Sequence, residues 1–241
     1  MAIPPAQPCW FENGAVVVPA VVAGVAGDYL IDPSAPVTLL HDTRAQGAGF
    51  EATSLTAQVR LAGRTLEALP VQVVDLDARS AGFFTPIAGV IGADVLGRYV
   101  VDLDFSPCRI RLSLPGQAPR FTAAFALPLS LTDGALTLPA AVTDGRRVRV
   151  GRFALDLSAG AALRLSQAGP ALPTKIDLAA RNVGKGRIRA LSFADRLVEQ
   201  PSVSLAPDLD PALAGAIGNG VWSRYRLRID LGRAKLSLAR P

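Results

Sequence analysis

Two copies of one stretch decide the fold, and the first copy reads Ile91-Gly92-Ala93-Asp94-Val95-Leu96-Gly97-Arg98-Tyr99-Val100-Val101-Asp102-Leu103-Asp104-Phe105. Residues 217–231 align with it without a gap, and six of the fifteen positions are identical. Leu-Ser-Leu follows each copy, at 112–114 and at 236–238. A repeat with so long a period predicts two similar lobes rather than a stacked solenoid.

A second pair of matching segments lies about sixty residues before each copy. Hydrophobic residues lead into Asp32-Pro33-Ser34-Ala35 in the first half and into Asp156-Leu157-Ser158-Ala159 in the second. Two anchors at matching spacing predict a duplicated domain. We expect lobes at residues 1–118 and 119–241, joined by the Pro- and Gly-containing residues 114–120.

The composition favours an all-β protein with a few short helices. The 22 glycines and 19 prolines interrupt short apolar runs, as turns between strands do. In the first half, strands are predicted over residues 15–22, 28–31, 37–40, 54–61, 66–74, 88–92, 100–103 and 109–114, with a helical turn at 93–99. No apolar stretch approaches the roughly 18 residues of a membrane-spanning helix, so no membrane span is expected.

The charge is divided unevenly between the halves. Residues 1–120 carry a net charge of −3, and residues 121–241 carry +8. In the second half arginines alternate with apolar residues, as at 147–150 and 224–229, which predicts arginines on the solvent face of strands. Asp102 and Asp104 are likewise expected to be solvated. We therefore expect no nucleic-acid partner, but attraction between the lobes or a charge bias along the cleft between them.

The two cysteines, Cys9 and Cys108, leave two alternatives open. They form a disulfide if the N-terminal strand pairs with the end of the first lobe, or they are two unrelated buried thiols. A disulfide suits an exported protein. The chain opens with Met-Ala-Ile-Pro-Pro, without the features of a signal peptide. A periplasmic or secreted mature protein is expected in preference to a cytoplasmic one.

Each half resembles one lobe of a retropepsin-like aspartic peptidase, and the whole chain resembles the bilobal pepsin type. The resemblance lies in the Asp-x-Ser-Ala anchors and in two later segments, Val90-Ile91-Gly92-Ala93-Asp94-Val95-Leu96 and Ala216-Ile217-Gly218-Asn219-Gly220-Val221-Trp222. It implies a catalytic dyad of Asp32 and Asp156. In that family two adjacent carboxylates share one proton, and one activates a water that attacks the peptide carbonyl.

The resemblance also implies the partners of the site. Ser34 and Ser158 are expected to contact a peptide or protein segment bound in the cleft, and neither a cofactor nor a metal is expected. Because both lobes lie in one chain, a monomer is expected. Residues 50–61 and 182–186 are candidates for flaps over the cleft.

The active-site triplets depart from the family pattern. A Thr or Ser hydroxyl that joins the two active-site loops in the family is replaced by Pro33 and Leu157, so we expect these loops to be unlocked. The family's Gly is replaced by Ser34 and Ser158. An aspartate at the end of a strand also commonly caps the following turn, which gives Asp32 a purely structural alternative.

Three functions follow from these features. The first is a catalytically degenerate aspartic-peptidase-like protein whose cleft binds an extended peptide. The second is an active aspartic endopeptidase that uses Asp32 and Asp156. The third is a non-catalytic structural interaction module with a closed cleft. His41, the sole histidine, excludes a zinc site built from several imidazoles and is expected at the surface.

Overall fold

The computed structural model of the protein describes residues 5–166, 186–206 and 209–241. Its first half contains ten strands and three short helices within these residues. The strands are Gln7–Pro8 (β1), Trp10–Glu12 (β2), Ala15–Val22 (β3), Val25–Ile31 (β4), Thr38–His41 (β5), Ser54–Leu61 (β6), Arg64–Val74 (β7), Ile87–Ile91 (β8), Val100–Phe105 (β9) and Cys108–Ser113 (β10), and the helices are Asp42–Gly47 (α1), Asp77–Ser80 (α2) and Ala93–Leu96 (α3).

The second half, over its described residues, repeats this pattern with twelve strands, one α-helix and one 3₁₀ turn. They are Phe125–Pro128 (β11), Ser130–Thr132 (β12), Ala135–Thr143 (β13), Val148–Leu155 (β14), Leu163–Ser166 (β15), Gly186–Arg187 (β16), Ala190–Phe193 (β17), Arg196–Glu199 (β18), Ser202–Ala206 (β19), Gly215–Ile217 (β20), Asn219–Trp222 (α4), Arg226–Asp230 (β21), Leu231–Arg233 (3₁₀) and Lys235–Ala239 (β22).

The described strands form three sheets. One has the order β2-β3-β4-β8-β5-β7-β6 and belongs to the first half, and one has the order β16-β19-β15-β20-β14-β13-β17-β18, with β12 beside β13, and belongs to the second. The third, β1-β10-β9-β21-β22-β11, takes strands from both halves. The expected all-β bilobal fold is confirmed.

The sheet shared by both halves is stabilised by ion pairs between them. Its β9 and β21 are antiparallel, with Arg228 directly opposite Asp102. Arg228 binds Asp102 through two hydrogen bonds of 2.6 and 2.8 Å, and Arg226 binds Asp104 at 2.5 Å. Asp102 is therefore shielded from solvent, contrary to the expectation, whereas the side chain of Asp104 stays 35% exposed. The expected attraction between an acidic and a basic half has a structural basis here. The division at residues 118 and 119 stays a prediction.

In β14 the arginine lies on the buried face and the neighbouring valines lie on the exposed face, which is the reverse of the prediction. Arg149 is buried, whereas Val148 and Val150 are 67% and 75% exposed. Side chains alternate along a strand, so a strand that buries Phe153 and Leu155 must also turn Arg149 inward. There its Nη1 donates to the carbonyl of Ala214 at 3.2 Å, and burial lowers the pKa of the guanidinium.

Cys9 and Cys108 form a disulfide, so the alternative of two unrelated thiols is wrong. The N-terminal strand β1 pairs with β10, which carries Cys108, and this pairing brings the two cysteines together. The bridge closes a loop with a sequence separation of 99 residues. For a loop of that length the chain-entropy model gives a stabilisation of roughly 4.7 kcal/mol. None of the described helices has the length and apolarity that a bilayer span requires.

Candidate active site

The two sequence anchors of each half contact each other in the structure. Strand β4, which Asp32 directly follows, runs parallel to β8, and the N–H of Asp32 donates to the carbonyl of Ile91 at 3.0 Å. In the second half the N–H of Asp156 donates to the carbonyl of Ile217, also at 3.0 Å. The repeat therefore places both aspartates in equivalent positions.

Main-chain hydrogen bonds join each candidate active-site loop to a strand of the opposite lobe. The N–H of Val16 donates to the carbonyl of Leu157 at 3.0 Å, and the N–H of Leu136 donates to the carbonyl of Pro33 at 2.9 Å. Pro33 and Leu157 are the positions at which the resemblance implies a bridging hydroxyl. Their carbonyls accept hydrogen bonds from the opposite lobe instead, so each loop is attached to that lobe without the hydroxyl that the resemblance implies.

Gly14 and Asn219 add a second connection between the lobes. Gly14 has a φ of +76°, and a Cβ atom there would lie 2.2 Å from the Cα of Gly160. The buried Asn219 donates from Nδ2 to the carbonyls of Gly14 and Leu157, at 2.9 and 2.8 Å. The first-lobe turn that contains Gly14 thus packs directly on the loop that follows Asp156.

The structure brings Asp32 and Asp156 together, with Ser158 between them. Both aspartates are almost completely buried, with 1% and 0% of their surface exposed. Oγ of Ser158 lies 2.9 Å from Oδ2 of Asp32 and 3.0 Å from Oδ1 of Asp156. A hydroxyl has one proton, so it donates to only one carboxylate at a time.

The aspartate side chains also cap the turns that follow them, by accepting hydrogen bonds from Ser34 and Ser158. Oδ1 of Asp32 accepts from the N–H and the Oγ of Ser34, at 2.9 and 2.5 Å. Oδ1 of Asp156 accepts from the N–H of Ser158 at 2.8 Å. The structural role that the sequence allows for Asp32, capping of the following turn, is therefore present together with the paired arrangement.

Each carboxylate is bound by an arginine that the sequence analysis missed. Nη2 of Arg79 donates to Oδ2 of Asp32 and, at 2.9 Å, to Oγ of Ser158. Nη1 of Arg164 donates to Oδ2 of Asp156 at 2.9 Å. The Arg79 side chain is 32% exposed and that of Arg164 is 20% exposed, whereas the carboxylates lie beneath them. The site therefore consists of two acid–base pairs rather than two carboxylates alone.

The pKa of Asp156 is raised above its ordinary value. Burial is the largest cause, because a charged carboxylate loses its hydration there, and the negative charge of Asp32 is the next. Arg164 and the Ser158 N–H act in the opposite direction but are outweighed. Asp156 therefore holds its proton to a higher pH than an exposed aspartate does.

A cavity of about 460 Å³ opens above this site, between the lobes. Its first-lobe lining is Asp32, Ser34, Ala35, Pro36, Val37, Leu39, Gln72 and Arg79, and its second-lobe lining is Thr132, Asp133, Ala135, Arg164, Leu209, Asp210 and Leu213. Its walls combine apolar side chains with the two arginines. Over the described ranges, no three His, Cys, Asp or Glu side chains come together as a metal site would require.

Comparison with known proteins supports the fold described above. No family model and no curated protein matches the sequence. Among solved structures, the crystal structure of aspartic proteinase from Irpex lacteus matches over 98% of this chain and 97% of that chain, with a TM-score of 0.58 and 12% sequence identity. The chain has the fold of an aspartic proteinase. At this identity the match shows the fold alone, and it does not separate the retropepsin type from the pepsin type.

In this aspartic-proteinase fold, residues 75–86 form a strap that carries Arg79 to the dyad. One end is held by His41, whose Nε2 lies 3.2 Å from Oδ1 of Asp77. The other end is held by Glu12, which accepts from the Oγ1 of Thr85 at 2.6 Å. His41 is only 5% exposed, so its expected surface position was wrong. Its two ring nitrogens contact Asp42 and Asp77.

The predicted flap at residues 50–61 does not cover the dyad. Most of it is β6, which pairs with β7 and with β3 inside the first lobe. The turn after β6 lies against the N-terminal strand, where the N–H of Ala62 donates to Oε1 of Gln7 at 2.8 Å. Of the second candidate, residues 182–185 lie outside the described residues. The strap is the described segment that reaches the dyad.

Proposed function

We propose that this protein is an aspartic-peptidase-like binding protein, whose cleft between the lobes holds an extended peptide segment without cleaving it efficiently. One observation carries the proposal: Arg79 binds Asp32, and Arg164 binds Asp156. An aspartic peptidase needs two carboxylates that share a proton and act on a water. Each guanidinium donates to Oδ2 of the carboxylate it contacts, and that oxygen is then less available to a catalytic water.

The cleft supports the binding part of the proposal. Its volume of about 460 Å³ is within the usual range for a ligand site, roughly 300–1,000 Å³. Its walls come from both lobes and combine apolar side chains, such as Leu39 and Leu213, with polar ones, such as Ser34 and Arg79. Extended peptides bind such clefts through main-chain hydrogen bonds and side-chain pockets. An open cleft of this size disfavours the closed structural module.

One observation favours an active acid endopeptidase as the second candidate. The hydroxyl of Ser158 connects Asp32 to Asp156, and the pKa of Asp156 is raised partly by the charge of Asp32. Two coupled carboxylates with separated proton affinities are what such an enzyme uses. In this candidate Asp32 and Asp156 are the catalytic dyad, and Arg79 must leave Asp32 before a water can be activated.

Peptide capture tests the proposal. A synthetic library of ten-residue peptides is passed over the immobilised protein, and the retained peptides are identified by mass spectrometry. Gln72→Trp places a bulky ring at the exposed wall of the cleft, and we expect it to abolish retention. Gln117→Trp, at an exposed residue outside the cleft, is the matched control and should retain the same peptides. Equal retention by both variants would overturn binding in the cleft.

The disulfide supports a further part of the proposal, the compartment. Cys9 and Cys108 are bridged, and such bonds persist mainly in oxidising environments. We therefore propose a periplasmic or secreted location. We also propose that the protein acts as a monomer, because each lobe supplies one of the two aspartates.

A further inference from the structure

A second site lies on the outward face of the shared sheet, away from the cleft. Three neighbouring strands present charged side chains there in register. Arg109 and Arg111 of β10 lie opposite Asp104 and Asp102 of β9, and Arg228 of β21 lies opposite Asp102 from the other side. A cavity of about 170 Å³ is formed at this place, here named the arginine pocket. Its lining is Ala6, Asp102, Asp104, Arg109, Arg111, Pro119, Arg120, Phe121, Arg226 and Arg228.

The arginine pocket has a surplus of positive charge. It is lined by five arginines and two aspartates. Both aspartates are already bound by the arginines of β21, Asp102 by Arg228 and Asp104 by Arg226. In the part of the chain that the structure describes, Arg109, Arg111 and Arg120 make no ion pair. Three guanidinium groups therefore converge without a negative partner.

Arg111 shows that the pocket has an unsatisfied hydrogen-bond donor. Its Nε is buried and has no hydrogen-bond partner among the described residues. A buried donor without an acceptor is unfavourable, and in folded proteins an ion or a water usually satisfies it. Arg109 on the same strand and the exposed Arg120 supply further donors at the mouth of the pocket.

Phe121 holds the opposite wall of the pocket in place. Its ring lies under the guanidinium groups of Arg228 and Arg226, with Cζ-to-centroid distances of 4.9 and 5.8 Å. Stacking and ion pairing together fix these two side chains. The pocket is therefore preformed on one side, and the arginines of β10 and Arg120 complete it.

We propose that the arginine pocket binds a phosphate group, as inorganic phosphate or as a phosphomonoester. A surplus of three positive charges fits a divalent anion, and the planar guanidinium fork matches phosphate oxygens. One liquid water occupies about 30 Å³, so the pocket has room for a small tetrahedral anion with a few waters. Arg111 belongs to the first lobe, Arg120 to the interlobe segment and Arg228 to the second lobe. A bound phosphate therefore links the lobes.

Calorimetric titration and thermal unfolding test the proposal on the whole chain. The ligands are sodium phosphate, glycerol phosphate and sodium chloride at equal ionic strength. We expect the two phosphate compounds to raise the melting temperature above the value in chloride. Arg111→Gln and the exposed Arg120→Gln should each weaken phosphate binding on the order of tenfold, as for one lost charge-assisted hydrogen bond. Arg146→Gln, at an exposed arginine in the β13–β14 connection, is the matched control and should bind as the wild type does.

Each outcome decides the matter. Tighter binding of phosphate than of glycerol phosphate supports a free anion as ligand, and the reverse order supports a phosphomonoester. A melting temperature that depends only on ionic strength overturns the proposal, as does equal binding by Arg120→Gln, Arg111→Gln and Arg146→Gln. If a DNA duplex binds tightly and all three variants weaken that binding equally, the protein attracts polyanions in general, and the arginine pocket is not a specific site. Peptide capture by the cleft is independent of each of these results.

Discussion

Oγ of Ser158, in the second lobe, lies 2.9 Å from Oδ2 of Asp32, in the first. The same hydroxyl lies 3.0 Å from Asp156 and accepts a hydrogen bond from Arg79. Ser158 stands where the resemblance to aspartic peptidases implies a glycine, and its side chain fills the space between the two carboxylates. The two aspartates thus lie close together and are surrounded by donors.

Removing Arg79 should destabilise the protein at neutral pH. Arg79→Ala leaves the buried carboxylate of Asp32 without its cation. The loss of a buried partner costs roughly 3–5 kcal/mol, but Arg79 is 32% exposed, so we expect about 1–2 kcal/mol. Urea denaturation measures the change. Arg60→Ala, on the exposed face of β6, is the control and should lie near the wild type. Equal stability of all three proteins would show that the ion pair contributes nothing.

The raised pKa of Asp156 makes stability depend on pH in a definite direction. Its pKa in the folded protein lies above the ordinary value of 3.8, so the folded state binds the proton more tightly than the unfolded state. The contribution of this group is fully present below about pH 3.8 and is lost as the pH rises through the folded value. Asp156→Asn has no titratable carboxyl at this position. We expect its unfolding free energy, relative to the wild type, to increase with pH. Parallel stability curves from acid to neutral pH would contradict the assignment.

The contact between Gly14 and Gly160 should tolerate no side chain. Gly14 and Gly116 have similar backbone conformations, with φ of +76° and +79°, but a Cβ at Gly116 meets nothing within 4 Å. Gly116→Ala should therefore cost only the conformational term, about 1–2 kcal/mol. Gly14→Ala adds the clash with Gly160 and should cost about 1–3 kcal/mol more. Denaturation of the two variants side by side measures the difference, and equal costs would mean that the lobes separate easily.

Reduction of the disulfide should lower stability markedly. The bridge from Cys9 to Cys108 closes a long loop, and removing such a bond typically costs about 2–5 kcal/mol. We expect dithiothreitol to shift the urea midpoint of the wild type downward. The double variant Cys9→Ser/Cys108→Ser should start at the lower midpoint and should not respond to the reductant. A response of the variant would mean that the reagent acts elsewhere.

The fold and the position of the dyad could be predicted because they depend on repeated main-chain pairing. The Ile91 and Ile217 strands bind the loops of Asp32 and Asp156 through equivalent hydrogen bonds, and both members of each pair are visible as sequence anchors. Hydrophobic alternation and spacing are enough to detect such pairing. The Cys9–Cys108 bridge could be anticipated only as one of two alternatives.

The arginines could not be predicted from the repeat, because the halves differ there. Arg164 lies eight residues after Asp156, whereas the residue eight after Asp32 is Leu40. Arg79 reaches the dyad from a strap whose course depends on tertiary contacts of His41 and Glu12. A possible signal was Arg79 itself, the sole basic residue between Arg64 and Arg98.

The inward turn of Arg149 shows a different limit. The alternation of Arg and Val between residues 147 and 150 was interpreted correctly as a strand, but its facing was not. The larger apolar residues Phe153 and Leu155 decide which face of β14 is buried. Arg149 is an even number of residues away from both, so it lies on the same face. The positions of Phe153 and Leu155 are therefore the sequence signal for the buried side of Arg149.

The most direct test of the account is cleavage of a diverse peptide mixture, followed by mass spectrometry from about pH 3 to pH 7. The wild type is compared with the double variant Asp32→Asn/Asp156→Asn, and circular dichroism establishes that both are folded. Because Arg79 and Arg164 bind the two carboxylates, the account predicts the same peptides from both proteins, with no cut that depends on the aspartates. Cuts made by the wild type and lost in the double variant would contradict it, and would establish an acid endopeptidase.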